Sequence, residues 1–203
     1  MKIVLTIALA LTLAACGARS DVDAVVEQAV APALPLQPGE TPAIRGLVNK
    51  WAAHYSLPRS LVHRIIQRES DYRPAARSGP YWGIMQILPA TARNMGMEGH
   101  PRQLLDADTG LKYSLRYMRG AWMLSGGDER VAVQWYARGY YFEAKRQGLL
   151  QETGLRGGLW QAYDRGEAEM PPIDAAGRLL PPEPPCTPRT GIAAALRGTG
   201  CPA

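Results

Sequence analysis

A glutamate at the end of an apolar helix face is the residue in this sequence that is best placed to do chemistry. Glu69 shares a helix face with four apolar residues at helical spacing, Leu61, Val62, Ile65 and Ile66. A carboxylate on such a face must find a cation or lie in a cleft where its neutral form is favoured. The pattern therefore indicates either an ion-paired glutamate at a helix end or a general acid.

Aromatic residues follow this helix, and two of them stand in a short loop. Tyr81 and Trp82 lie between Pro80 and Gly83. The apolar faces of sugar rings stack on aromatic side chains, whose polar atoms stay available for hydrogen bonds. Packing in the core is the other role open to such residues. We predict that Tyr81 and Trp82 are exposed sugar contacts.

Three segments of the chain carry a resemblance to a known family. They are residues 69–78 (ESDYRPAARS), 83–92 (GIMQILPATA) and 135–139 (WYARG). Together they closely resemble the soluble lytic transglycosylases, over roughly residues 44–141, about half of the chain. The resemblance implies a mostly α, lysozyme-like domain of the goose-type and lytic transglycosylase kind, with long loops. The composition of the two ends of the chain predicts flexible tails on either side of it.

The same resemblance implies roles for individual residues. Glu69 is implied to be the catalytic acid and base, with Ser78 close to it and Tyr136 beside it. Met85 and Gln86 are implied to form part of the saccharide-binding wall.

The implied reaction cuts peptidoglycan glycan strands at the β-1,4 bond between N-acetylmuramic acid and N-acetylglucosamine, without metal or organic cofactor. Ordinary glycosidases use two carboxylates. Here Glu69 is the only convincing candidate, because Asp71 points away from it on a continuing helix, while Asp106 and Asp108 are placed as helix-start residues. One carboxyl suffices if the C6 hydroxyl of the substrate attacks, so the implied product is a 1,6-anhydro end.

Three departures from the family pattern keep other functions open. The loop 78–83 is one residue shorter than the usual spacing, Gly110 stands where asparagine is common, and Ala137 replaces the asparagine of the tyrosine motif. One alternative is a goose-type lysozyme-like hydrolase, which would leave reducing ends. The other is a non-catalytic peptidoglycan-binding lipoprotein.

Periodicity and end signals predict helices that would position these residues. The predicted helices span 43–55, 58–70, 89–94, 109–124 and 131–137. No stretch shows convincing strand alternation, which also favours a mostly helical domain.

The two ends of the chain differ from its centre. Residues 1–15 are typical of a signal peptide, and the run that leads into Cys16 resembles a lipobox, with ordinary secretory cleavage as the alternative. We predict a lipidated tether over 16–42, the catalytic domain over 43–167 and a Pro-rich tail over 168–203. In enteric bacteria an aspartate directly after the lipidated cysteine favours retention in the inner membrane. Gly17 stands at that position here, so we expect a periplasmic protein whose lipid lies in the outer membrane.

Cysteine count and charge limit the remaining partners. Cys186 and Cys201 can form a disulfide in an oxidising compartment, with two free thiols as the alternative. The three histidines lack metal-ligand spacing. The formal charge of +5 is modest and suits an anionic wall polymer, so we expect peptidoglycan and a membrane as partners, no nucleic acid, and a monomer.

Overall fold

The structure is a computed structural model that describes residues 35–181. The predicted lipidation at Cys16 and the predicted Cys186–Cys201 bridge lie outside the described residues and stay predictions. The helices and strands of residues 35–181 all belong to one compact unit, which begins at Leu36. The helices are α1 (Pro42–His54), α2 (Arg59–Glu69), α3 (Pro89–Asn94), α4 (Ala107–Met123), α5 (Glu129–Arg138), α6 (Tyr141–Gln147) and α7 (Leu159–Asp164).

All five helices predicted from the sequence are present in the structure. Their ends differ from the predicted ones by at most two residues. The short helices α6 and α7 and the 3₁₀ helix Pro101–Leu105 were not predicted from the sequence.

The core forms around α4, which packs against α1, α3, α5 and the 3₁₀ helix. Asp106 caps its N-terminus by accepting a hydrogen bond from the Thr109 backbone N–H at 2.9 Å. Leu115 and Met118 of α4 belong to the same core cluster as the apolar face of α2, and all of these side chains are fully buried. Burial of such a side chain contributes roughly 1.5–3 kcal/mol, so α2 is held by the face on which Glu69 was predicted to lie.

A small antiparallel hairpin follows α2. Strand β1 (Arg77–Ser78) pairs with β2 (Tyr81–Trp82), with Arg77 opposite Trp82 and Ser78 opposite Tyr81. Gly79 begins the turn with a φ of 56°, in the left-handed region. Strands of two residues cannot show alternation, which explains why the sequence indicated none.

Two glycines allow the backbone around Leu104 to pack closely against its neighbours. A Cβ at Gly83 would lie 2.1 Å from the Leu104 carbonyl oxygen, and one at Gly110 would lie 2.9 Å from the same atom. Gly110, a departure from the family pattern, is therefore explained by packing. The hairpin and the start of α4 are joined through this contact.

The packed structure continues past residue 167, where we predicted the catalytic domain to end and the tail to begin. Met170 and Ile173 pack against the main core. The buried guanidinium of Arg119 donates a hydrogen bond to the Pro171 carbonyl, and Ile173 forms an isolated bridge with Leu179.

The predicted mostly α fold class is confirmed by these elements. No helix in residues 35–181 has both the length and the apolarity needed to cross a membrane.

Candidate active site

The end of α2, the hairpin and the end of α5 enclose a cavity of about 380 Å³, here called the Glu69 cavity. Its lining residues are Arg68, Glu69, Ser78, Tyr81, Gln86, Tyr136 and Ala137. Five of the seven residues predicted for catalysis and substrate binding are therefore brought together, although they come from three separate segments of the chain.

Glu69 is the last residue of α2, and its side chain is 22 % exposed. Burial of the carboxyl raises its pKa, and the nearby charge of Arg68 only partly opposes this. The Arg68 Nε atom lies 3.6 Å from Oε1, and the Arg68 side chain is itself half exposed, so the ion pair is weak. The geometry therefore favours a carboxyl that retains its proton to higher pH, as a general acid requires.

Tyr136 forms one wall of the cavity and is buried. Its hydroxyl donates a hydrogen bond of 2.8 Å to the backbone carbonyl of Met85. Burial raises the pKa of this phenol, so the hydroxyl stays protonated and remains a donor. The bond joins the end of α5 to the segment that follows the hairpin.

Gln86 lines the cavity with a side chain that is held in a fixed orientation. Its backbone is in the left-handed region, at φ 48°, and its side-chain amide N–H groups donate to the carbonyls of Gly83 at 2.7 Å and Ala76 at 3.1 Å. These two bonds set the orientation of the amide. The Oε1 atom is buried and has no hydrogen-bond partner in the part of the chain that the structure describes. It can accept a hydroxyl or amide N–H from a ligand.

Ser78 and Tyr81, which pair across the hairpin, are exposed and line the same cavity. Tyr81 is 44 % exposed, so its ring is free to stack on a sugar.

Two predicted substrate contacts are corrected by the structure. The Met85 side chain is fully buried in the main core, so it does not form part of the cavity wall. Trp82 does not line the Glu69 cavity or the smaller cavity of about 210 Å³ beside it. The guanidinium of Arg77 lies 3.7 Å from the centroid of the Trp82 ring. Its ring also packs against a small core cluster. Trp82 is thus half-buried rather than an exposed sugar contact.

Ser70, which sequence reasoning did not single out, supports the site. It is buried directly after Glu69, and its hydroxyl donates a hydrogen bond of 2.6 Å to the Ile84 carbonyl. This bond ties the end of α2 to the segment that carries Gln86. The position of Ser70 inside the first family-like segment, residues 69–78, was the signal from which its role could have been found.

A second cavity of about 210 Å³ adjoins the first and shares four of its lining residues, Tyr81, Gln86, Tyr136 and Ala137. It continues the space toward Thr91 and Arg138. The two cavities share these four residues and are here together called the groove.

Among the residues that line this groove, Glu69 is the only carboxylate. Asp106 caps α4, and Asp108 accepts hydrogen bonds from Lys50 and Trp51. Within residues 35–181 no group of three or more His, Cys, Asp or Glu side chains is arranged to hold a metal ion. The arrangement supports proton transfer by one carboxyl, with a tyrosine ring and an amide oxygen to position a ligand.

The family model described as the transglycosylase SLT domain matches residues 46–153. No solved structure matches the chain.

Proposed function

The chain belongs to the SLT transglycosylase family, whose domain covers more than half of it, and we propose that it is an active lytic transglycosylase that cuts peptidoglycan glycan strands. Family membership gives a lysozyme-like catalytic domain and a lytic transglycosylase type of function on peptidoglycan. The bond we assign is the β-1,4 bond between N-acetylmuramic acid and N-acetylglucosamine, with 1,6-anhydro-N-acetylmuramic acid as the new end.

The reaction needs one group that first gives and then takes a proton. Protonated Glu69 donates its proton to the glycosidic oxygen as the bond from C1 of N-acetylmuramic acid to that oxygen breaks. The Glu69 carboxylate then removes the proton of the C6 hydroxyl, whose oxygen forms the new bond to C1. The proton returns to Glu69, and no water is consumed. Intramolecular attack is entropically favoured over capture of a water molecule.

The observation that carries the proposal is that Glu69 is the only carboxylate among the described residues that line the groove, and that its pKa is raised. A two-carboxylate mechanism would require a second acid across the bond. Oε1 of Gln86 supplies an unpaired acceptor for a sugar hydroxyl or acetamido N–H, and Tyr81 supplies a stacking surface. We assign Ser78 and Tyr136 to the same substrate contacts, because they line the same cavity.

The test is digestion of purified peptidoglycan by the detergent-solubilised full-length protein, with mass analysis of the products. We expect anhydro ends, which are one water lighter than reducing ends, and no products from Glu69→Gln. Glu98→Gln, which neutralises an exposed carboxylate that lines neither cavity of the groove, is the matched control and should digest normally.

Other outcomes of the digestion would favour the alternative functions. Reducing ends would indicate a goose-type hydrolase. Binding of peptidoglycan without any product from the wild-type protein would indicate a non-catalytic binding lipoprotein.

We also propose that the protein acts from a lipid anchor at Cys16, on the periplasmic side of the outer membrane, as a monomer. The lipobox-like run before Cys16 supports the anchor, and Gly17 after it supports the outer membrane.

A further inference from the structure

A pocket of about 530 Å³, separate from the two cavities of the groove, lies between α1, α4 and α7 and is here called the α1–α4–α7 pocket. Its lining residues are Lys50, Trp51, His54, Lys112, Arg116, Tyr163 and Asp164. None of them lines the groove that contains Glu69. The pocket is larger than the Glu69 cavity and has no part in the mechanism proposed above.

The floor of this pocket is an ion pair between the buried Arg116 and the more exposed Asp164. The Arg116 side chain is 1 % exposed and donates to both carboxylate oxygens of Asp164, at 2.7 and 2.5 Å. It also donates to the Met95 carbonyl at 2.8 Å and to the Tyr55 hydroxyl at 3.0 Å. A guanidinium held by four such bonds cannot move freely, so the floor is preformed.

Two lysines stand at the rim and are less firmly held. The Lys50 ammonium lies 2.9 Å from Asp108 and its side chain is 52 % exposed, while that of Lys112 lies 3.3 Å from Asp164 and is 28 % exposed. Exposed ion pairs contribute only about 0–1 kcal/mol, so both ammonium groups can turn toward a bound anion.

The charges of the pocket leave one positive charge in excess. Lys50, Lys112 and Arg116 are opposed by Asp108 and Asp164. Burial and the three cations lower the pKa of His54, so it adds no charge at neutral pH.

The walls of the pocket are aromatic and are fixed by their own contacts. The Trp51 indole N–H donates to Asp108 at 2.6 Å, and His54 Nε2 forms a hydrogen bond of 3.1 Å with the Tyr163 hydroxyl. The Trp51 and His54 rings meet edge to face, with centroids 5.4 Å apart. The pocket therefore combines apolar walls with a small positive excess at the rim.

We propose that the α1–α4–α7 pocket binds a short acidic peptide, whose carboxylate lies between the ammonium groups of Lys50 and Lys112 and whose aliphatic part packs on Trp51 and Tyr163. One excess positive charge suits a ligand with few carboxylates better than a polyanion. The inference rests on the proposed function, because the glycan strands of peptidoglycan carry short acidic stem peptides. The pocket would then hold a strand by its peptide at a distance from the Glu69 cavity.

The first experiment measures binding of a synthetic stem pentapeptide with free carboxylates by titration calorimetry. Lys50→Gln/Lys112→Gln removes both rim charges and leaves the floor intact. We expect at least about a 10-fold loss of affinity in this variant, and a comparable loss when the peptide carboxylates are amidated. The control, Lys145→Gln/Arg146→Gln, neutralises two exposed cations on α6 and should change the affinity by less than about 2-fold. Thermal melting of each variant verifies that it folds.

Three results would overturn the proposal: no binding by the wild-type protein, equal binding by the Lys50/Lys112 variant, or tighter binding to vesicles of anionic phospholipid than to the peptide. The peptide contains no glycosidic bond, so this measurement does not depend on catalysis, and Glu69→Gln should bind it normally. Digestion of glycan strands stripped of their peptides distinguishes a failure of this inference from a failure of the proposed function. The Lys50/Lys112 variant should match the wild type on stripped strands and show a higher KM on peptide-bearing strands.

Discussion

At the scale of single residues, the position of Glu69 links catalysis to stability. Its carboxyl lies at the end of an apolar helix face, where burial raises its pKa. The raised pKa places a penalty on the charged form of the folded protein. This penalty is absent below the unfolded-state pKa near 4.5, grows as the pH rises toward the folded-state pKa, and is constant above it.

We therefore expect Glu69→Gln to be inactive, with at least about a 10²-fold loss, yet as stable as the wild type or more stable at pH 7. The difference in melting temperature should shrink as the pH falls toward 4.5. Melting curves at several pH values, together with peptidoglycan digestion, test both halves. A Gln variant that is clearly less stable at pH 7 would mean that Glu69 is a structural ion-pair residue.

Tyr136 offers a second test at the residue scale. Tyr136→Phe retains the ring but removes the donor to the Met85 carbonyl, which then lies unpaired in the interior. We expect a loss of about 1–3 kcal/mol in the free energy of unfolding, measured by urea denaturation, and a fall in activity. Tyr81→Phe, which removes an exposed hydroxyl, is the control and should alter stability by less than about 0.5 kcal/mol. Equal losses in the two variants would contradict the role of the Met85 contact.

At the scale of elements, the hairpin depends on a glycine that lies against the backbone of the 3₁₀ helix. Gly83 has a φ of 81°, and a Cβ there would overlap the Leu104 carbonyl oxygen at 2.1 Å. Gly79, in the turn of the hairpin, also has a positive φ but no atom within 4 Å of a Cβ. Alanine substitutions at Gly79 and Gly83 therefore separate the cost of a positive φ from the cost of a steric overlap with Leu104.

We expect Gly79→Ala to cost about 1 kcal/mol of unfolding free energy and Gly83→Ala at least about 2 kcal/mol more. Gly83→Ala should also lower activity, because the Gly83 carbonyl orients Gln86. Chemical denaturation and digestion assays on the two variants provide the measurement. Equal costs would show that the contact with Leu104 does not constrain the hairpin.

At the scale of the whole molecule, residues 168–181 complete the core. Pro171 supplies a carbonyl to the buried guanidinium of Arg119, and Met170 and Ile173 cover apolar residues. Burial lowers the pKa of Arg119 to about 10, which reflects the cost of holding this charge in the interior.

A chain that ends at residue 167 should therefore lose at least about 3 kcal/mol of unfolding free energy relative to one that ends at 181. The shorter chain leaves a buried guanidinium N–H without its acceptor and exposes part of the core. Thermal and urea denaturation of the two truncated chains test this. Equal stability would mean that the segment only rests on the surface.

The anchor is also tested at this scale. Cys16→Ser removes the thiol that would take the lipid, so we expect the variant to move from the membrane fraction to the soluble periplasmic fraction. Lipid chains supply the binding energy for the membrane, and without them little holds the protein there. Fractionation with immunodetection measures the change, and Cys186→Ser is the matched control, which should stay with the membrane. Unchanged partition of Cys16→Ser would contradict lipidation.

Local patterns in the sequence were sufficient to predict five of the seven described α-helices and the place of Glu69. An amphipathic face repeats within a few residues, so α2 and its buried side chains could be read from their spacing alone. Ser78, Gln86 and Tyr136, which line the Glu69 cavity, were named through the family resemblance, and Tyr81 was named from its place in a short aromatic loop.

Tertiary structure decided which neighbouring side chains face the groove. Met85 and Gln86 are adjacent, yet one is in the core and the other lines the cavity, because the backbone at Gln86 is left-handed and the carbonyls of Gly83 and Ala76 hold its amide. The α1–α4–α7 pocket likewise joins Lys50, Lys112 and Asp164 from distant parts of the chain. Periodicity reports only which face of an element is apolar, whereas a pocket is formed by the packing of elements against one another, which depends on the whole chain.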